Sequence, residues 1–283
     1  MTTGSPDVPG APDVPDLAGL LAIAVEAGDA AARLVVEERP QAGRRLEVTA
    51  TKSSATDIVT EMDKRSERTI VDLITAARPA DGFLGEEGAS RSGTSGVTWV
   101  IDPIDGTVNY LYEIPAYAIS IAARTDDGVL VGVVVNPVSG ETWTAVRGGG
   151  AFLDGRRLRL DPPPAMELAL VATGFGYGRE RRARQAEILR SVLPRVRDVR
   201  RIGSASLDLC AVATGRVDAF YEQGLNPWDL AAGGLVAAEA GAVVAGLPGR
   251  EAGEALVVAA PPGLYEPLAE LLAGLGADEL VAG

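Results

Sequence analysis

Trp99-Val-Ile-Asp-Pro-Ile-Asp-Gly-Thr-Val-Asn-Tyr110 runs as an apolar strand into two aspartates, Asp102 and Asp105, and then into Gly106. Carboxylates at a strand end, in a turn whose backbone can also contribute oxygens, can converge on a cation. The same residues also read as turn punctuation, since Asp-Pro and Asp-Gly are common loop dipeptides. The flanking sequence has to separate the two readings.

Around this segment, strand signals at 97–101, 117–123, 129–135 and 142–146 are separated by Gly, Asp and Pro, the pattern of an antiparallel sheet. Upstream, apolar residues recur at helical spacing over 16–39, with Asp16 placed to cap the start and Pro40 to end the run. A second helix is predicted over 60–78, burying Ile70, Val71, Leu73, Ile74 and Ala77. Past the proline run 162–164 the elements alternate: strand 168–172, helix 181–193, strand 199–202, a helix from Ser204, strand 217–221, helix 228–240, strand 255–259 and a last helix from Leu264. This divides the chain into a Pro/Gly/Ala/Asp-rich tail at 1–15, expected to be disordered, an α+β part at 16–160 and an α/β part at 161–283.

Of the 283 residues, 47% are apolar, enough for a large core. There is no histidine, which removes histidine triads, histidine general bases and the usual zinc sites together. The one cysteine, Cys210, sits among Leu207, Leu209, Ala211 and Val212 and reads as a small buried hydrophobe. Hydrolytic chemistry would then use hydroxyls, lysine or the 39 Asp and Glu residues, which favour Mg²⁺ or Mn²⁺. A net charge of −13 argues against direct nucleic-acid binding, which calls for a basic surface. With no signal-peptide pattern and no apolar run of membrane-spanning length, the chain is expected to be cytoplasmic and free of membrane contact.

Two more carboxylate sites stand near element ends. Glu86 and Glu87 follow the apolar pair Phe83-Leu84, where the alternative is an exposed acidic loop. Asp229, in Asn226-Pro-Trp-Asp229, opens an apolar helix, where an acid can equally serve the positive end of the helix dipole.

In order, these segments resemble the inositol monophosphatase family, the lithium-sensitive, Mg²⁺-dependent phosphatases. The resemblance is carried by Asp102-Pro-Ile-Asp-Gly-Thr107, by Trp228-Asp229 with the small residues after it, by Lys52-Ser-Ser-Ala-Thr-Asp57 and Val59-Thr-Glu-Met-Asp63, and by Gly203-Ser-Ala-Ser206, and it spans 16–272. It implies a fold combining α+β and α/β parts: a five-layered αβαβα sandwich of the inositol monophosphatase/fructose-1,6-bisphosphatase type, usually a homodimer.

The family's ligand pattern places one Mg²⁺ at Glu86, Asp102 and the backbone carbonyl of Ile104, and a second at Asp102, Asp105 and Asp229, for two or three cations per subunit with Mn²⁺ as a substitute. Asp63, Thr107 and Glu86 are the implied catalytic residues, with the Asp63–Thr107 pair helping to orient and deprotonate the attacking water. Thr60-x-x-Asp63 is also a capping box, and both roles can coexist. Gly106 and Thr107 would offer backbone N–H groups to the phosphate, unless they simply begin a helix. The polyol would meet Gly203, Ser204, Ala205, Glu222 and Asp229, Glu222 being otherwise a surface carboxylate. Lys52, Asp57 and Glu87 would stand around a weaker third metal position; for Lys52 and Asp57 the alternative is an ordinary solvated loop. The arginine-rich stretch 179–201 could recognise a second phosphate or could be the solvated face of a helix.

The implied activity is hydrolysis of myo-inositol 1-phosphate, and of related polyol or sugar monophosphates, by a metal-activated water. Fructose-1,6-bisphosphate, histidinol phosphate, NADP and adenosine bisphosphate are rival substrates. A regulatory protein binding transcription machinery is the alternative of a different kind, because some bacterial relatives do so.

Overall fold

The computed structural model describes residues 16–39, 50–51, 58–59 and 61–280. The 1–15 tail, Thr60, Lys52 and Asp57 lie outside the described residues. Helix α1 (Leu17–Glu37) is capped by Asp16, which accepts the Gly19 N–H at 3.0 Å, and α2 spans Glu61–Ala77. Strands β1 (Ala50–Thr51) and β2 (Ile58–Val59) pair antiparallel.

The large sheet uses β3 (Gly82–Gly85), β4 (Ser90–Arg91), β5 (Thr98–Asp105), β6 (Ala118–Thr125), β7 (Gly128–Asn136), β8 (Glu141–Val146), β9 (Gly150–Leu153) and β10 (Arg156–Arg157). Its order is β10-β9-β8-β7-β6-β5-β3-β4, with β3 and β5 parallel and the other pairs antiparallel. The short helix α3 (Thr107–Leu111) follows β5 directly.

The second sheet is mixed, in the order β12-β11-β13-β15-β14. It is built from β11 (Leu170–Thr173), β12 (Asp198–Arg200), β13 (Ala219–Glu222), β14 (Val243–Ala245) and β15 (Val257–Ala260). Around it stand α4 (Arg179–Val192), α5 (Ala205–Ala213), α6 (Pro227–Ala240) and α7 (Pro262–Gly274).

Four apolar interfaces separate five layers. On α1, Leu20, Ala24, Ala27, Ala31 and Val35 fall on one helical stripe and pack with Ile70 and Ile74 of α2 against Ile119, Ile121, Val131 and Val133. The alternate residues of the same strands, Ala118, Ala122 and Val134, face Leu207 and Cys210 of α5 and Ala232 and Val236 of α6. With both faces buried, β6 and β7 read as nearly continuous apolar runs. The far sides of α5 and α6, through Leu209, Val212 and Ala237, meet Ala172, Phe220 and Val257 of the small sheet. That sheet's outer face, Val171, Tyr221 and Val258, is covered by Ile188 of α4 and by Leu264, Leu268 and Leu272 of α7. The expected αβαβα sandwich is therefore present.

Helix α2 differs from the expected burial. Ala77 is exposed and Val71 and Leu73 are only partly covered, whereas Asp63, Ser66 and Glu67 share the buried stripe with Ile70 and Ile74. No helix among the described residues is long and apolar enough to cross a membrane.

Candidate active site

In a regular strand, residues three apart point to opposite faces, so Asp102 and Asp105 could not share a site. Pro103 has no N–H to give the ladder, and the β5–β6 register is interrupted between the Asp102–Ser120 and Asp105–Ala118 pairs. This irregularity re-aims the strand end, and both aspartates line one cleft. Its carbonyls are held: Ser66 Oγ donates to Pro103 O at 2.9 Å and Thr107 Oγ1 to Ile104 O at 3.0 Å. A carbonyl has two lone pairs, so Ile104 keeps one for a cation. Gly106 then turns the chain at φ +94°, where a Cβ would come within 3.0 Å of Gly203 O, and α3 begins.

Oxygens of Asp102, Asp105 and Asp229 all lie within 4.8 Å of one another. Glu86 joins them in the cleft lining, close enough for its charge to act on Asp102. Burial first, then the charges of Glu86, Asp105 and Asp229, drive the Asp102 carboxyl well above the usual carboxylate range. Asp229 is driven up by burial and by Asp105 and Glu86, while the Asn226 N–H, 2.7 Å from its Oδ2, pulls the other way. Asp229 thus occupies the helix-start position and the carboxylate cluster at once.

Asp105 is fixed from the opposite side of the cleft. Its Oδ2 accepts from Ser204 Oγ at 2.6 Å, Ser206 N at 2.7 Å and Ser206 Oγ at 2.5 Å. Asn109 Nδ2 donates to Ile202 O, and Ser120 Oγ to Trp228 O, tying the same two sides together, while Asn109 Nδ2 also donates to Ala116 O on its own side. Asp63 is fully buried and meets the cleft through Thr107, whose Oγ1 is 3.0 Å from Asp63 Oδ1. Gly106, Thr107, Gly203, Ser204, Ala205 and Glu222 all line the cleft, whose volume is about 620 Å³. Burial pushes the Glu222 carboxyl up to about 8 against the opposing pull of Arg201, with Asp105 adding to the rise. Glu87 is half-buried beside Glu86, and its N–H is held by Glu67.

Sequence reasoning missed Glu67, whose carboxylate accepts the N–H groups of Glu87 and Ala89, both at 2.9 Å, and so sets the loop that carries Glu86. The signal was available, because Asp63, Glu67, Ile70 and Ile74 follow helical spacing. Asp208 was missed as well. It is buried on α5, its Oδ1 has no hydrogen-bond partner among the described residues, and burial with Glu222 and Asp105 nearby drives its carboxyl well up.

The sequence profile of the inositol monophosphatase family matches residues 16–277. The inositol-1-monophosphatase SuhB of Mycobacterium tuberculosis is 49% identical over 234 residues, covering 79% of this chain and 80% of that protein. The Nus factor SuhB of Pseudomonas aeruginosa is 40% identical over 238 residues, covering 81% and 86%. The solved structure of the extragenic suppressor protein suhB from Bartonella henselae matches with a TM-score of 0.84 at 35% identity, over 90% of this chain and 98% of that one. With its layers, its bulged Asp-Pro-Ile-Asp strand and these likenesses in agreement, the chain belongs to the inositol monophosphatase family, whose members are metal-dependent phosphatases.

Proposed function

We propose that this chain is a Mg²⁺-dependent phosphomonoesterase that hydrolyses myo-inositol 1-phosphate, and related polyol or sugar monophosphates, to the free alcohol and phosphate. The observation that carries the reading is the convergence of Asp102, Asp105 and Asp229 within 4.8 Å, with Glu86 beside them. Carboxylates crowded this closely repel one another unless protons or cations intervene. The available donors, including Ile104 O, are all oxygens, which suits Mg²⁺ or Mn²⁺ and not a soft metal. When bound, the cations supply the charge that lowers the pKa of a water and stabilises the attacking and leaving oxygens.

The protein's own groups do the positioning. Thr107 has one hydroxyl hydrogen, committed to Asp63 or Ile104, so its oxygen is left to accept from a water in the cleft. First-turn N–H groups at Gly106 and Thr107 have no intrahelical acceptor and can meet phosphate oxygens. Ser204 and Ser206 hold Asp105 in one orientation. Glu222 faces the alcohol and can accept from vicinal hydroxyls. Cys210 is fully buried and burial pushes its thiol up, so it is no nucleophile, and this reading assigns the attack to a water. In this reading 16–160 carries the first ligands and 161–283 supplies Asp229 and the polyol contacts. A homodimer, a cytoplasmic location and inhibition by Li⁺ belong to the same proposal.

The test is phosphate release from a panel of monoesters with and without Mg²⁺. Release that depends on the cation is expected, and none across the panel would overturn the reading. The name of the Pseudomonas aeruginosa relative favours a second role, docking to transcription machinery. Capture of polymerase factors by a catalytically dead Asp102→Asn chain would support it.

A further inference from the structure

Helix α4 buries Gln185, Ile188 and Val192 on one stripe, and the two apolar residues of that stripe pack on the small sheet. A glutamine in such a place requires partners for both ends of its amide. Gln185 has them: Oε1 accepts the Gly176 N–H at 2.9 Å and Nε2 donates to Gln223 O at 3.2 Å. One partner is a donor and the other an acceptor, so the amide has a single orientation.

The two segments it joins flank Glu222. The ladder between β11 and β13 ends at the pair Thr173–Tyr221. Past that pair the chain of β11 runs on through 174–178, and these residues and Glu222 all line the cleft. The fit is closest at Gly174. A Cβ added there would stand 2.0 Å from Oε2 and 2.2 Å from Oε1 of Glu222, so the carboxylate lies against the Gly174 backbone. The gap between the two segments therefore decides where that carboxylate rests, and the Gln185 amide spans it.

Gln223 carries the support outward to the end of the chain. It is 4% exposed, and its Nε2 donates to Ala277 O at 3.2 Å and to Glu279 O at 2.9 Å. That segment is anchored in turn, since Arg184 of α4 donates to Gly276 O at 3.3 Å and Arg250 pairs with Asp278 at 2.9 Å. Packing alone does not fix this wall: a cavity of about 10 Å³, room for one water, remains among Gln185, Glu222, Gln223 and Ala277.

We propose that Gln185 and Gln223 are positioning residues that hold the Glu222 carboxylate in place and thereby set how tightly the alcohol portion of the substrate binds. Gln185 is 6% exposed and stands outside the cleft lining, so it acts through Glu222 and not by contact. This rests on the reading of Glu222 as the acceptor for polyol hydroxyls and specifies what fixes it.

The experiment uses the full chain in Mg²⁺ with myo-inositol 1-phosphate and 4-nitrophenyl phosphate, the second having no ring hydroxyls to offer. Gln185→Met keeps the length of the side chain and removes both of its bonds. KM for the inositol ester should rise about tenfold with kcat little changed, the scale of a hydrogen bond to a charged group, while both constants for the aryl ester move by less than about twofold. In a Glu222→Gln background Gln185→Met should add less than about twofold, because the group it positions has already been altered. Gln223→Met leaves the Gln185 bonds in place, since they use the Gln223 backbone, and should raise the same KM about threefold, which keeps the test open if Gln185→Met does not fold. An unchanged KM, equal effects on both esters, or a full additional loss in the Glu222→Gln background overturns the proposal.

If no ester is hydrolysed, the activity reading fails and calorimetric titration in Mg²⁺ decides the positioning by itself. A Kd for the inositol ester about tenfold weaker in Gln185→Met, with the aryl ester unaffected, supports it; equal shifts, or none, overturn it. If hydrolysis is found and Gln185→Met treats both esters alike, the positioning fails alone.

Discussion

Replacing Asp229 with asparagine sets two physical effects against each other in the metal-free protein. Two unit charges 4.8 Å apart, the span of the aspartate oxygens, repel by about 3.5 kcal/mol at an effective dielectric constant near 20, before screening. Asp102 and Asp229 are both driven toward protonation, so only part of this repulsion is present near neutral pH, and roughly 1–3 kcal/mol is the relief to expect. Against it stands the loss of an anion at the start of α6, about 0.3–1 kcal/mol. The cap itself can survive, because the asparagine carbonyl can still accept the Asn226 N–H that now reaches Asp229 Oδ2. In chelator, Asp229→Asn should therefore melt about 2–6 °C above wild type, given roughly 2–4 °C per kcal/mol for a chain of this size. In millimolar Mg²⁺ the order should reverse or narrow, since a ligand bound only by the folded state stabilises it by mass action and the variant binds it less well. Differential scanning melts of both proteins in both buffers make the comparison. A metal-free variant less stable than wild type, with an unchanged Mg²⁺ shift, would refute the reasoning and leave Asp229 as a helix cap only.

Asp105→Asn should lower turnover by roughly three orders of magnitude or more while leaving the melt cooperative, because its Oδ can still accept from Ser204 and Ser206 while a neutral amide faces the cluster; near-wild-type rates at moderate Mg²⁺ would remove Asp105 from the site. For Glu222, pushed up to about 8, KM for inositol 1-phosphate should fall as pH rises through that value and the ionised carboxylate accepts ring hydroxyls. Glu222→Gln should lose this dependence, with a smaller effect on an aryl phosphate, and equal effects on both substrates would contradict the role. The raised Asp208 carboxyl means the unfolded chain loses that proton first, so stability declines as pH rises from about 4 toward the folded value. Asp208→Asn should therefore gain melting temperature relative to wild type between pH 5 and pH 8, and a pH-independent difference would rule out this source of instability.

Much of the carboxylate centre was legible because the chemistry is local in sequence. Asp102 and Asp105 stand in one turn beside Pro103 and Gly106, and Asp229 opens one helix two residues after Pro227. What the sequence did not reveal depends on register and on the approach of distant elements. The expected burial of Val71, Leu73 and Ala77 fails because the inner stripe of α2 is not wholly apolar and turns the carboxylates of Asp63 and Glu67 inward at its N-terminal end. The arginines of 179–201 look alike in sequence, and only the packing of α4 and β13 around the cleft separates Arg181 from Arg190. The strands β1, β2, β4, β9, β10 and β14 were missed because they are two to four residues long and sit beside glycine or within loops, where alternation has no length in which to show.

The layer formed by α5 and α6 belongs to the cores of both sheets, since Leu207 and Ala232 face one while Leu209 and Ala237 face the other. Neither sheet can open on that side without exposing the partner's apolar surface, so the two should unfold in one cooperative step. Asp229 sits in the first turn of α6, which makes that shared layer the place where cation binding meets global stability. Amide hydrogens in β7 of one sheet and β13 of the other, though far apart in sequence, should therefore gain protection together when the carboxylates are neutralised.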